Sequence, residues 1–196
     1  LRFHYEHQLL ELALEKTRTQ YGDFELRPSP VMNESRMIRA LEAGTYQNFF
    51  VLMSFRKRYL PKMDYIPFPT QRGIAGYRLF ITSELGLQKL ANVRSLESLK
   101  RLSIVQGKSW LDTDILSDSG FSVTTLSYYE GMFKFISKNR ADLFPRGVHE
   151  LSSEYQLFSG RIANLRLDDE YAFYYVFPRF FFTSMGNEPG LNRIQQ

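Results

Sequence analysis

The sequence predicts an α/β protein built from two small sub-domains. From residue 112 to residue 158, strand and helix patterns alternate regularly, which is typical of sheets covered by helices. The stretch Ser95 to Trp110 changes from helical spacing to a compact β-rich run and ends in a polar turn. With 196 residues, the chain is long for one compact domain and suits two lobes.

Hydrophobic periodicity and turn residues place the individual elements. Helices are predicted at 2–19, 112–118, 128–139 and 148–158, with another starting near 190. A helix ending at 43 can be capped by Asn33 or Ser35, residues 83–93 are read as a loop and a short helix, and Leu96 and Leu99 fit a further short helix. Strands are predicted at 24–26, 48–53, 76–82, 102–105, 122–126, 141–144 and 162–167. The run 48–53 is apolar on both faces, which favours a buried parallel strand. Residues 171–183 are interrupted by Pro178, so we expect two extended pieces with a bend there.

Composition excludes several classes of protein. The chain is 43% hydrophobic and 23% charged, as in globular proteins, and its apolar runs are far too short to span a bilayer. Its 25 basic and 21 acidic residues give a net charge of +4, and no basic stripe indicates nucleic-acid binding. The absence of cysteine excludes disulfides, thiolate metal sites and cysteine nucleophiles.

Catalysis has little support in the sequence. There is no nucleophile elbow, no P-loop and no dinucleotide fingerprint. His4, His7 and His149 do not form a metal-ligand spacing, and a solvated surface pair explains the first two. We therefore expect no catalytic residues, no metal and no cofactor.

Polar residues follow three of the predicted strands, where ligands collect in open α/β sheets. Arginine in such a position can hold a carboxylate, and an aromatic ring can cover the apolar part of a ligand. The alternatives are solvated loop charges and an ordinary βα loop without ligand. The candidate ligand-binding residues are Ser54, Arg56, Arg58, Tyr77, Gln106, Gly107, Lys108, Ser109, Trp110, Arg146 and Glu150.

Two motifs resemble those of bacterial periplasmic solute-binding proteins of the polar amino-acid type. The first is AGTYQNFFVLMSFRKRYLPKMDYIPFPTQRGIAGYRLFIT, and the second is SLESLKRLSIVQGKSW followed by EGMFKFISKNRADLF. The resemblance covers about residues 34–144 and, more loosely, 180–183. It implies a type II two-lobed fold with mainly parallel sheets, in which residues 1–82 and 178–196 form lobe 1 and residues 83–177 form lobe 2. Two hinge crossings are expected, near 81–84 and 175–180.

The resemblance also implies site residues. In the family a Ser/Thr and an Arg hold the ligand carboxylate, which points to Ser54 with Arg56 or Arg58. The family acid that holds an amino group falls near Arg146 or Gly147 here, which argues against an ordinary amino acid, and Glu150 is a displaced substitute. The family's first strand and closing helices have no counterpart, so we expect a divergent or truncated member with a processed or trimmed terminus at Leu1.

The implied function is capture of a small polar or anionic, carboxylate-bearing solute between the lobes, in a net positive pocket walled by Trp110. We expect a periplasmic monomer serving an ABC-type inner-membrane transporter or a sensor. The alternative is an effector-binding domain of a bacterial transcription regulator or signalling protein, and an enzyme is a third option. A signal peptide upstream would favour the envelope protein, and a helix-turn-helix the regulator. For Trp110 itself, the alternative is a ring that packs under the loop and staples the helix start.

Overall fold

The computed structural model describes residues 4–195 and divides the chain into two compact units. The first comprises Leu1–Arg72 and Phe177–Gln196, and the second is the continuous segment Gly73–Val176. The chain thus enters the second unit once and returns once, as a two-lobed fold requires. The lobe boundary proposed from sequence lies after residue 82, whereas the units divide after residue 72.

Nine α-helices, eight strands and two 3-10 helices (Lys57–Tyr59 and Ile74–Gly76) lie in the described part of the chain. The helices are α1 (His4–Lys16), α2 (Arg18–Tyr21), α3 (Glu34–Glu42), α4 (Glu84–Leu90), α5 (Leu96–Leu99), α6 (Leu111–Asp118), α7 (Tyr129–Ser137), α8 (Val148–Ser159) and α9 (Glu188–Gln195). The strands are β1 (Val51–Ser54), β2 (Met63–Tyr65), β3 (Tyr77–Thr82), β4 (Ile104–Gly107), β5 (Val123–Leu126), β6 (Leu143–Gly147), β7 (Arg166–Tyr174) and β8 (Arg179–Ser184). The predicted start of the first helix at residue 2 lies outside the described residues.

The sheet of the first unit has the order β1-β8-β2, and β8 is antiparallel to both neighbours. The prediction of a parallel strand at 48–53 is therefore wrong. A strand that is apolar on both faces shows only that both of its faces are covered. Strands of an antiparallel sheet can be covered on both faces as well. The strand also starts later than predicted, at Val51, because Asn48 adopts a left-handed φ of 51°.

Helix α3 packs on this sheet and begins as the sequence indicates. The Asn33 side chain accepts a hydrogen bond from the Arg36 amide at 3.0 Å. Leu41 of α3 is fully buried in a core with Met53 and Phe182. Helix packing on one face of the strands thus holds the first unit together.

Two other predictions in the first unit are wrong. Residues 24–26 belong to neither sheet, and the Phe24 ring instead contacts the Arg193 guanidinium at 5.4 Å. Strand β2 lies between Pro61 and Pro67, in a segment where no strand was predicted. The prolines flank the strand without entering it, so all of its residues keep the backbone N–H groups that can bond to β8.

The sheet of the second unit has the order β5-β4-β6-β3-β7. Strands β5, β4 and β6 are parallel, while β3 is antiparallel to both β6 and β7. Mainly parallel sheets were predicted for both lobes. Parallel pairing occurs only in the second unit, among β5, β4 and β6. The ends of β4, β5 and β6 define one edge of the sheet, called here the carboxyl edge. Because β3 runs the other way, it begins at this edge, and β7 ends there.

Both faces of this sheet carry an apolar core, as its position between helices requires. Val105 and Phe144 pack towards α7 and α8, and this side is called the α8 face. Ile104 and Leu143, one residue earlier in each strand, pack towards α6 and belong to the α6 face. The alternation of faces continues to the carboxyl edge, where polar residues replace apolar ones.

The α/β fold class is confirmed, and the alternation of strands and helices after residue 110 follows the sequence closely. Two strand limits need correction. Strand β6 runs through Pro145 to Gly147 and does not end at Phe144, because β3 pairs with all five of its residues and places Phe80 opposite Pro145. Strand β7 begins at Arg166, because Asn164 adopts a left-handed φ of 61° that interrupts the strand predicted from residue 162.

Candidate functional site

The loop between β4 and α6, residues 107–110, is a tight turn at the carboxyl edge. A Cβ on Gly107 would lie 2.3 Å from the Trp110 ring, so only glycine fits there. Ser109 has a φ of 80°, which is strained for a non-glycine residue and costs about 1 kcal/mol. The backbone amide of Lys108 donates to the Leu126 carbonyl at 2.8 Å, and the residue is exposed.

Gln106 is the residue of β4 directly before Gly107, where this loop starts. Its side chain is fully buried on the α6 face, and Nε2 donates to the Pro145 carbonyl at 3.1 Å. Its amide oxygen Oε1 is also buried, and no donor within residues 4–195 reaches it. An unfilled buried acceptor costs about 1–3 kcal/mol, so water or a ligand donor is required to satisfy it.

Trp110 lies on the opposite, α8 face, and precedes the first helical residue of α6. Its half-buried ring is stacked on Phe144 with centroids 6.4 Å apart. The Arg146 guanidinium carbon lies 4.9 Å from the indole centroid, within cation–π range. Trp110 therefore packs on residues of its own unit, and its predicted contact with a ligand stays a proposal.

Arg146 lies inside β6. The sequence had placed it in a loop after that strand, and this prediction is wrong. It is buried, and Nε donates to Glu154 at 2.6 Å while Nη2 donates to Glu150 at 2.8 Å and to Glu154 at 2.7 Å. The Tyr129 hydroxyl donates to Glu154 as well. Burial alone would lower the pKa of Arg146, but the charges of Glu150 and Glu154 outweigh it and raise that pKa well above its ordinary value.

The surroundings of Arg146 therefore do not supply a net positive charge. One guanidinium faces two carboxylates in the described network, so its own charge is compensated within the unit. Glu150, proposed as a displaced substitute for the family acid, acts here as a partner of Arg146. Glu154 and Tyr129 were missed, although Glu150 and Glu154 lie one turn apart on the predicted helix 148–158, which was a signal for Glu154.

Gly147, the other position at which the family acid falls, has no room for a side chain. A Cβ there would lie 2.9 Å from Nη1 of Arg78 and 2.7 Å from the imidazole of His149. An acid cannot replace Gly147 without moving those side chains. The departure from the family pattern is thus built into the packing of this edge.

A second polar network, on the α6 face, was not predicted. Nη2 of Arg78 lies 3.0 Å from Oδ1 of Asp112, and the Tyr175 hydroxyl donates to the same oxygen at 2.5 Å. Burial, followed by the negative charge of Asp112, raises the pKa of the Tyr175 phenol. These residues are far apart in sequence, so no local pattern could have found them.

The remaining candidates lie in the first unit or at the start of β3. Ser54 ends β1, Arg56 is buried, and Arg58 is exposed with its guanidinium carbon 5.6 Å from the Tyr59 ring. Tyr77 is half exposed, and its ring lies 4.7 Å from that of Tyr174. The choice between Arg56 and Arg58 as a carboxylate ligand stays a prediction.

Other types of site find no support in the described residues. Within 4–195, no three His, Cys, Asp or Glu side chains form a group that could hold a metal ion. None of the helices in this range combines the length and the apolar character needed to cross a membrane.

Comparison with known proteins supports the fold. No protein-family model matches the sequence, and the search of curated proteins gives no match. Among solved structures, an ancestral arginine-binding protein bound to arginine matches with a TM-score of 0.63 and 16% identity, covering 97% of this chain and 78% of that chain. A Salmonella typhimurium periplasmic binding protein described as highly specific for arginine matches at 0.64 and 10% identity, covering 97% and 79%.

A histidine kinase sensor domain with similarity to periplasmic binding proteins also matches, with a TM-score of 0.65 and 14% identity over 97% of this chain and 76% of that chain. At such identities the likeness shows the fold alone. The resemblance predicted from the two sequence motifs is confirmed at that level: the chain has the fold of the periplasmic amino-acid-binding proteins and of the sensor domain built like them.

Proposed function

We propose that this protein is a non-catalytic receptor for a small, polar, carboxylate-bearing solute, bound at the carboxyl edge of the second unit. The observation that carries the proposal is the buried Oε1 of Gln106, an acceptor without a partner in the described chain, one residue before the loop 107–110. It calls for a solute with an N–H or O–H donor.

The loop supplies groups suited to the acid end of the same solute. Lys108 carries an exposed cation, and the first turn of α6 turns its amides towards the loop. Trp110 offers an apolar surface beside them. A solute with one donor and one carboxylate would therefore use both ends of this short segment.

The same fold occurs in transport receptors and in a sensor domain, which favours two settings for this function. We propose a location in the bacterial envelope, with an inner-membrane transporter or a sensor kinase as partner. The regulator alternative would need the same solute binding, with a different attached module.

Calorimetric titration tests the proposal directly. The panel comprises acetate, succinate, L-glutamine and L-arginine, with putrescine and guanidinium as cations that lack a carboxylate. At least one carboxylate-bearing solute is expected to bind saturably and to change the fluorescence of Trp110, the only tryptophan. Binding of the two carboxylate-free cations alone, or of nothing in the panel, would contradict it.

A matched pair of variants locates the binding. Lys108→Gln should weaken binding of the carboxylate-bearing solute about tenfold, because a charge-assisted hydrogen bond is lost. Lys100→Gln is the control, since Lys100 lies at the end of α5, before the opposite end of β4. Equal effects of the two variants would remove the loop from the proposed site.

A further inference from the structure

The network of Arg78, Asp112 and Tyr175 joins three separate pieces of the second unit. Arg78 lies in β3, Asp112 in the first turn of α6, and Tyr175 directly after β7. Both Arg78 and Tyr175 reach Oδ1 of Asp112, at 3.0 Å and 2.5 Å, and the Arg78 guanidinium carbon lies 5.6 Å from the centre of the Tyr175 ring. A single carboxylate oxygen thus accepts a hydrogen bond from the Tyr175 phenol and forms an ion pair with Arg78, both distant in sequence.

Burial makes this arrangement restrictive. Arg78 is 3% exposed and Asp112 is 4% exposed, so neither charge can turn to solvent when the other moves. Asp112 follows Trp110 by two residues, and no side chain caps α6 at Trp110. The carboxylate of Asp112 therefore holds the start of α6, and with it the end of the loop 107–110, against the sheet.

Tyr175 is itself held in place by the segment before β3. Its amide donates to the Gly76 carbonyl at 3.3 Å, and a Cβ on Gly76 would lie 2.3 Å from the Tyr175 carbonyl oxygen. The backbones of Gly76 and Tyr175 thus touch at a point where only glycine fits. The backbone contact and the hydrogen bond to Asp112 together hold the Tyr175 hydroxyl in place.

We propose that Asp112, Arg78 and Tyr175 are positioning residues, which fix the loop 107–110 in its strained turn for solute binding. None of the three needs to touch the solute. Their role is to keep Lys108 and Ser109 in place, and Tyr175 is the member whose hydroxyl can be removed with least disturbance. The inference rests on the proposed function for its purpose, while the positioning itself can be measured without solute.

The test compares Tyr175→Phe with Tyr171→Phe in the full chain, by amide hydrogen exchange without solute. Tyr171 is a matched control, because it lies in β7, packs against the same core and donates its hydroxyl to the Val93 carbonyl at 3.1 Å. In Tyr175→Phe, amides of residues 108–114 should exchange about tenfold faster, since one buried hydrogen bond is lost there. In Tyr171→Phe they should exchange at the wild-type rate.

A uniform rise over the whole second unit, or equal effects of the two variants, would overturn the inference and assign Tyr175 to general stability. Titration with L-arginine adds a second readout. If the wild type binds it, the Kd should rise about tenfold in Tyr175→Phe and stay unchanged in Tyr171→Phe. If the wild type binds nothing in the panel, the proposed function fails, and the exchange result still decides the positioning role.

Discussion

The second unit contains two buried arginines at the same sheet edge, and they are held in different ways. Arg146, on the α8 face, is paired with Glu150 and Glu154, which lie on the helix that follows its own strand. Arg78, on the α6 face, is paired with Asp112 of a distant helix. The first network is local in sequence, and the second closes only when the sheet is assembled.

The difference shows what each network contributes. The Arg146 network joins β6 to α8, with Tyr129 of α7 as a further partner of Glu154, so its loss should mainly lower the stability of the whole unit. The Arg78 network fixes the relative positions of several elements. Its loss should therefore increase the mobility of the loop 107–110 and the start of α6. Variants at the two sites can separate stability from positioning.

The largest effect is expected for Arg146→Met. The change leaves Glu150 and Glu154 buried without their cation, which should lower the free energy of unfolding by about 4 kcal/mol. Urea denaturation measures it. A triple variant, with Glu150→Leu and Glu154→Leu added, should regain most of the loss, because the buried charges are then gone. A loss below about 1 kcal/mol in the single variant would contradict the argument.

Asp112→Asn should come next, with a loss of about 3 kcal/mol from leaving the Arg78 charge buried without its carboxylate. Asp114→Asn is the matched control on the same helix turn, where the side chain is exposed. Urea denaturation should show a clear loss for the first variant and a negligible one for the second. Equal losses would mean that the two carboxylates stabilise α6 only through their charge near its N-terminus, and that the contact to Arg78 contributes nothing.

The smallest effect is expected for Asp142→Asn, at the opposite edge of the sheet. Asp142 pairs with the partly exposed Lys89 at 2.5 Å and accepts two hydrogen bonds from Ser103 at 2.8 Å. Burial alone would raise the pKa of Asp142, but the bonds from Lys89 and Ser103 outweigh it, and the pKa is lowered. Because Lys89 is partly exposed and an asparagine at position 142 can still accept hydrogen bonds from Ser103, the variant should lose about 1 kcal/mol at pH 7.

The pH dependence of that variant follows from the direction of the shift. A lowered pKa in the folded state means that the stabilisation is present above the ordinary aspartate pKa of about 4 and is lost as the pH falls below it. The difference between wild type and Asp142→Asn should therefore shrink between pH 5 and pH 3 in urea denaturation. A difference that grows over this range would show that the folded-state pKa is raised.

Much of the second unit could be predicted because its elements alternate locally. The turn at Gly107 and the helices and strands that alternate after it are encoded in a few neighbouring residues each. The first sheet could not be predicted in the same way, since its central strand β8 comes from the other end of the chain. A hydrophobic pattern reports burial of a strand and not the direction of its neighbour.

The sequence indicated where in the fold the candidate residues lie, but not which groups surround them. Gln106 and the loop after it were identified from the strand that they end, and they do lie at the carboxyl edge. Arg146 was interpreted as an open loop charge, because the extent of β6 past Pro145 depends on pairing with β3. Asp112 and Tyr175 carry no sequence signal, since their importance arises from a contact between distant residues.

The strand order of the first sheet has a consequence for synthesis on the ribosome. Strand β8 lies between β1 and β2, so neither strand has its sheet partner until residue 184 has been made. The second unit is continuous and is complete by Val176, before β8 exists. Because translation is slow compared with folding of a small domain, the second unit can reach its native state while β1 and β2 are still unpaired. During that interval the apolar edges of β1 and β2 are the part of the nascent chain most in need of protection from aggregation.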